Sequence, residues 1–111
     1  MNWVSLEHLD QLNEIEEQSS SKFAVIFKHS TRCPISTVAK LRLKSKWNIG
    51  EDKLSFYYLD LIKHRDVSNE IENRYQVKHE SPQVIVLKDR EAIYDNSHLD
   101  ISIKDLESVM V

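Results

Sequence analysis

Five apolar residues in unbroken succession, Phe23-Ala24-Val25-Ile26-Phe27, predict a strand buried on both faces. Upstream, Leu6, Leu9, Leu12 and Ile15 recur every three residues. That spacing predicts a helix from about Ser5 to about Gln18, with Trp3-Val4 as a short strand before it. Ser19-Ser20-Ser21 reads as the loop ending the helix, and Glu14-Ile15-Glu16-Glu17 as its solvated side. Beyond the strand, Ile35, Val38, Ala39, Leu43 and Trp47 mark a second helix that tolerates Pro34 in its first turn. A loop at Gly50, the only glycine, follows. Leu54-Ser55-Phe56-Tyr57-Tyr58-Leu59 is aromatic-rich and predicts a second central strand. Val67, Ile71 and Tyr75 share one face of a helix from about Asp66 to Tyr75, with Asp66 as its N-cap.

The last third carries a different pattern. Gln83-Val84-Ile85-Val86-Leu87-Lys88 predicts a third strand opened by Ser81-Pro82. Glu91-Ala92-Ile93-Tyr94 pairs with it as a hairpin across Asp89-Arg90, where an Asn-Gly or Asp-Gly turn is the usual choice. Ser102-Ile103-Lys104-Asp105 resembles a capping box with aspartate in place of glutamate and opens a C-terminal helix. The order is βαβαββα, a parallel half followed by a hairpin and a helix. The tryptophans and tyrosines are expected in the core.

Bulk composition narrows the function classes. At 111 residues, 41% hydrophobic and 30% charged, one globular domain spanning 1–111 is expected. A net charge of −3 lacks the basic footprint of a nucleic-acid binder. No apolar run approaches the roughly 20 residues of a membrane span, and the first residues lack a signal-peptide pattern, so a cytoplasmic protein with no membrane partner is expected. The one cysteine cannot close an internal disulfide, which suits a reducing compartment. It also cannot build the four-ligand set of structural zinc, so no metal is expected.

That cysteine, Cys33, lies in Lys28-His29-Ser30-Thr31-Arg32-Cys33-Pro34-Ile35-Ser36, between the first apolar strand and the next helix. A thiol at a strand-to-helix turn meets the positive end of the helix dipole, and Arg32, His29 and Lys28 add cations nearby. All favour the nucleophilic thiolate. Its pKa is expected below the free value of about 8.5. Cys33-Pro34-Ile35-Ser36 is a C-x-x-C motif with serine at the second position. Ser36 lies three residues on, facing Cys33 across one helical turn, where its hydroxyl can hydrogen-bond a thiolate but cannot attack a disulfide. His29 either holds the thiolate as an imidazolium or caps the strand end, the cap being favoured because histidine is neutral near pH 7. His79, in the loop before Pro82, is a candidate to approach Cys33 or to lie apart from it.

Three segments together, Lys28 to Ser36, Phe56-Tyr57-Tyr58-Leu59-Asp60-Leu61 and His79-Glu80-Ser81-Pro82-Gln83, resemble the YtxJ family of monothiol bacilliredoxins. The resemblance implies an α/β, thioredoxin-like fold with a central mixed sheet flanked by helices. It implies a thiol–disulfide oxidoreductase that removes bacillithiol from mixed disulfides on cytosolic proteins, with no bound cofactor and bacillithiol as co-substrate. By position it makes Cys33 the nucleophile, with Thr31, Arg32, Pro34, Ile35 and Ser36 supporting it. Ser81 and Pro82 become a cis-proline segment that docks substrate. Bacillithiol carries a malate, so Arg32 and Lys28 are candidates for its carboxylates. The expected partners are bacillithiolated proteins and a low-molecular-weight thiol, met by a monomer. The alternative is a thioredoxin-like binding module, holding an iron–sulfur cluster across a dimer or redox-inert. Cluster-binding relatives have glycine after the cysteine, where Pro34-Ile35 stands here.

Overall fold

The computed structural model describes residues 3–30, 34–46 and 53–110, without the side chains of residues 35, 36, 44–46 and 99. Trp47 and Gly50, assigned above to a helix end and a loop, lie outside the described residues. The elements are β1 (Trp3–Ser5), α1 (Asp10–Gln18), β2 (Phe23–His29), α2 (Pro34–Lys46), β3 (Leu54–Asp60), α3 (Arg65–Tyr75), β4 (Gln83–Lys88), β5 (Glu91–Ser97) and α4 (Ile103–Val109), with a 3-10 turn at His98–Asp100. From β2 onward the order is βαβαββα, preceded by β1 and α1. The five strands form one sheet in the order β1-β3-β2-β4-β5. β1, β3 and β2 run parallel; β4 runs antiparallel to β2, and β5 to β4.

Strand alternation sorts the core into two clusters. Ala24 and Ile26 of β2 pack with Leu12 and Ile15 of α1 and Val67 and Ile71 of α3. Val25 and Phe27 point the other way, against Ala39 and Leu43 of α2 and Leu106 of α4. Burial on both sides explains why β2 and β4 read as unbroken apolar runs.

Several expectations are corrected. α1 starts at Asp10, not near Ser5, because the preceding segment has other partners. The Leu6 N–H donates to the Tyr58 carbonyl at 2.8 Å, extending the β1 edge. The Gln11 side chain takes the Glu7 and His8 N–H groups at 2.6 and 2.9 Å. Val38 faces solvent at 44% exposure, so α2 packs through Ala39 and Leu43. α3 begins at Arg65 with His64 at the N-cap position, which places Asp66 inside the first turn, where its charge still suits the dipole. β5 runs on to Ser97. Glu16 is not merely solvated: it accepts from the Tyr75 hydroxyl at 2.8 Å and pairs with Arg74 and Arg90 at 3.3 and 3.4 Å.

Two local devices match their residues. Ser19, Ser20 and Ser21 each donate a hydroxyl to the carbonyl three residues back, using the orphan acceptors at the end of α1. Ser102 caps α4 by accepting from the Asp105 N–H at 3.5 Å. The hairpin turn needs more help. Asp89 and Arg90 both take positive φ, 51° and 68°, without a glycine. Buried Ser19 braces them: its carbonyl accepts from Asp89 N and its Oγ from Arg90 N, both at 2.9 Å.

Candidate active site

β2 delivers the chain to the motif. Its antiparallel ladder with β4 ends at the pair Lys28 and Gln83. Pro82 is therefore the residue just beyond the last pair, next in register and opposite His29 at the end of β2. Thr31, Arg32 and Cys33 lie outside the described residues, and Pro34 is the first residue of α2. The thiol thus belongs to the residue immediately before a 13-residue helix. The side chains of Ile35 and Ser36, in the first turn of α2, are not described.

The Ser81–Pro82 peptide bond is cis. Pro82 is buried, and its carbonyl accepts from the His98 N–H at 2.8 Å. Ser81 Oγ is buried with no hydrogen-bond partner among the described residues. The surrounding loop is tied at several points. Gln83, wholly buried, donates Nε2 to the Lys78 carbonyl at 2.9 Å and accepts from Glu80 N at 3.4 Å. Glu72 of α3 accepts from the His79 N–H at 2.5 Å, and Glu80 lies 3.5 Å from His98.

His29 and Lys28 lie on opposite faces. His29, the last residue of β2, is buried on the α2 side, 5.5 Å from the Tyr58 ring and 5.9 Å from that of Phe27. Trp3 stacks on Phe56 at 4.6 Å, and Lys40 of α2 sits over Tyr58 at 4.9 Å, completing an aromatic floor. The His29 carbonyl accepts from Leu61 N at 3.0 Å.

Lys28 departs from expectation. It is 0% exposed, so it cannot offer its charge to a carboxylate in solvent. Its Nζ instead lies 2.7 Å from His79 Nδ1, and Ser68 Oγ of α3 is 3.4 Å from the same nitrogen. Burial pulls the Lys28 pKa down to about 8, opposed by the Glu72 charge. Burial and the Lys28 charge also lower the His79 pKa, favouring a neutral ring whose Nδ1 accepts. His79 is thereby directed to the α3 side rather than the α2 side. The sequence signal for this pairing is the register itself: in β2, residue 28 shares a face with Ala24 and Ile26.

β2 thus ends beside the cis-proline loop, and α2 begins at the residue after the cysteine. The family model for the monothiol bacilliredoxin BrxC matches residues 4–106. The chain belongs to the monothiol bacilliredoxin family. Among solved structures it is similar to a thioredoxin-fold protein assigned provisionally as an oxidoreductase, with 31% identity, a TM-score of 0.81, and coverage of 96% of this chain and 91% of that one. Thioredoxin from Malassezia sympodialis matches at 17% identity and a TM-score of 0.76, covering 98% and 88%. Oxidised mitochondrial thioredoxin 3 from Saccharomyces cerevisiae matches at 18% and 0.73, covering 97% and 92%. The fold of this bacilliredoxin-family chain is thus thioredoxin-like, and family and fold together support a redox function. Among the described residues, no helix is long and apolar enough to cross a membrane, and no three metal-ligating side chains cluster.

Proposed function

We propose that this chain is a monothiol thiol–disulfide oxidoreductase that removes bacillithiol from protein mixed disulfides through Cys33, in the cytoplasm and as a monomer. The observation that carries the reading is a single cysteine, in a bacilliredoxin-family chain, immediately before the first residue of α2. The helix dipole and free N–H groups at such a position favour thiolate. The Cys33 thiolate attacks the bacillithiol sulfur of the mixed disulfide. A Cys33–bacillithiol S–S bond forms, the original S–S bond breaks, and the target cysteine leaves as thiolate and takes a proton from solvent. Serine at position 36 cannot expel the adduct, so a second low-molecular-weight thiol discharges Cys33. Thr31, Arg32, Pro34, Ile35 and Ser36 support the nucleophile, and Arg32 remains the candidate for the malate carboxylates. Ser81 and Pro82 dock the extended substrate; the place of Pro82 next in the ladder to the end of β2 supports that role.

The test is intact mass spectrometry of both proteins after mixing with a bacillithiolated substrate. Transfer of one bacillithiol to the parent, and none to Cys33→Ala, is the expected result. Stripping of the substrate by Cys33→Ala would sink the assignment.

A further inference from the structure

The polar cluster behind the cis-proline loop is unusual for its cost. Lys28 projects from a central strand into the face shared by Ala24, Ile26, Val67 and Ile71, where an ammonium loses its hydration. Only a strong partner makes such burial tolerable. That partner is a loop residue three positions before the cis-proline, not another core side chain. The loop backbone is held in turn by Glu72 at His79 and by Gln83 at Lys78 and Glu80. Strand β2, which carries the chain toward Cys33, and the loop carrying Ser81 are therefore tied at the side-chain level by a part-buried bond between Lys28 Nζ and His79 Nδ1, beyond the backbone pairing of Lys28 with Gln83.

We propose that Lys28 is a positioning residue: through His79 it holds the loop 78–83 so that the Ser81 backbone stays presented to protein substrates, without taking part in the thiol exchange itself. This rests on the docking role assigned to Ser81 and Pro82 under the proposed function. The geometry predicts a selective defect. A small disulfide needs only the Cys33 sulfur, whereas an extended polypeptide also needs the loop. It further predicts a proton-linked defect. Nδ1 accepts only from a neutral ring; an imidazolium would offer a second cation 2.7 Å from Lys28. The charges facing the pair are Glu72 and Arg65 from α3 and Glu80 from the loop itself, with the Ser68 hydroxyl alongside. Below the lowered pKa of His79 the bond is lost; above it the bond persists, since even a neutral amine retains N–H donors.

The experiment compares two reactions for the parent, Lys28→Met, His79→Leu and His79→Asn. One is reduction of a bacillithiolated protein; the other is adduct formation at Cys33 with free oxidised bacillithiol. Loss of one charge-assisted hydrogen bond predicts that Lys28→Met and His79→Leu lower kcat/KM for the protein substrate by about ten- to a hundredfold, mainly through KM, with adduct formation changed less than about twofold. His79→Asn keeps an acceptor near the Nδ1 position and cannot protonate. It should retain the protein reaction, and the ratio of the two rates should no longer fall, as it does in the parent, when the pH is taken below the ordinary histidine value of about 6.5 and through the lowered pKa of His79. The small-disulfide reaction divides out the titration of Cys33. Equal loss of both reactions in folded variants, or an unchanged ratio in Lys28→Met, overturns the proposal. If the parent itself leaves the protein substrate untouched, the proposed function fails instead. Amide exchange of residues 78–83 then decides: faster exchange in Lys28→Met and His79→Leu than in the parent supports the hold, and equal exchange overturns it.

Discussion

Lys28 and His29 are neighbours in the chain and do opposite things in the fold. His29 joins the rings of Phe27, Tyr58 and Trp3 on the α2 side, the side of the helix that follows the cysteine. Lys28 turns to the α3 side and bonds a loop histidine. A basic run upstream of a thiol thus splits into two environments because a strand alternates its side chains. One face supplies an apolar and aromatic floor. The other holds a polar tie to the cis-proline loop. Proximity in sequence does not imply a shared role, because adjacent side chains in a strand are separated by the sheet.

The comparison can be broken most forcefully at Phe27. This side chain is wholly buried against α2 and α4. Phe27→Ala should cost ~3–5 kcal/mol, the range for deleting a core phenylalanine. Denaturant unfolding measures it. An intact protein after this change would mean that α2 is not seated by the β2 aromatic face, and the contrast between a packing face and a holding face would collapse.

The difference between the faces also bears on what can be read from the chain. Apolar runs locate β2, β3 and β4 because strands buried on both sides need no polar alternation. The βαβαββα order follows from their spacing. The start of α1 is misleading, since Leu6 and Leu9 fit the helical spacing while Gln11 and Tyr58 engage the backbone there. Such side-chain–backbone bonds have no periodicity to detect. The hairpin turn is hard to read for a related reason: its brace, Ser19, lies about 70 residues away in sequence. Lys28 is the instructive miss. Cations count as surface groups by default, and only the register with Ala24 and Ile26 argues otherwise. His79 then follows, because a buried ammonium requires an acceptor. By contrast, the motif at Cys33 and the Ser81-Pro82 segment are recognisable as local words in the sequence.

An intermediate effect comes from titrating Lys28 itself. Its pKa falls from 10.5 to about 8 on folding. Between those values the unfolded chain binds more protons at this site than the folded one, so stability rises with pH. Below about pH 8 the ammonium is charged in both states and its burial penalty is fully present. Toward pH 10.5 the penalty is relieved, by up to ~3 kcal/mol. Lys28→Met lacks this term. The stability of the parent relative to Lys28→Met should therefore climb from pH 8 to pH 10.5, while the tyrosine titrations cancel between the two. A flat difference would mean that Lys28 is hydrated in solution and that the two faces of β2 are less distinct than their burial indicates.

The smallest effect is expected at Ser68, and it sharpens the comparison most finely. Ser68 Oγ is 3.4 Å from His79 Nδ1, against 2.7 Å for Lys28 Nζ. A neutral imidazole offers one lone pair at that nitrogen, so the two donors compete and the shorter, charge-assisted bond prevails. Ser68→Ala removes a hydroxyl from a buried position on α3 without leaving the His79 acceptor unpaired. The helix gains slightly from alanine's higher propensity, by roughly 0.5 kcal/mol or less. These small terms oppose each other, so the unfolding free energy should shift by about 0.5 kcal/mol or less in either direction. The ratio of protein-substrate to small-disulfide rates should match the parent's. A loss in that ratio as large as for Lys28→Met would transfer the holding role from the β2 amine to the α3 hydroxyl. The loop would then be anchored by the helix alone, and Lys28 would be a passenger on its face of the sheet.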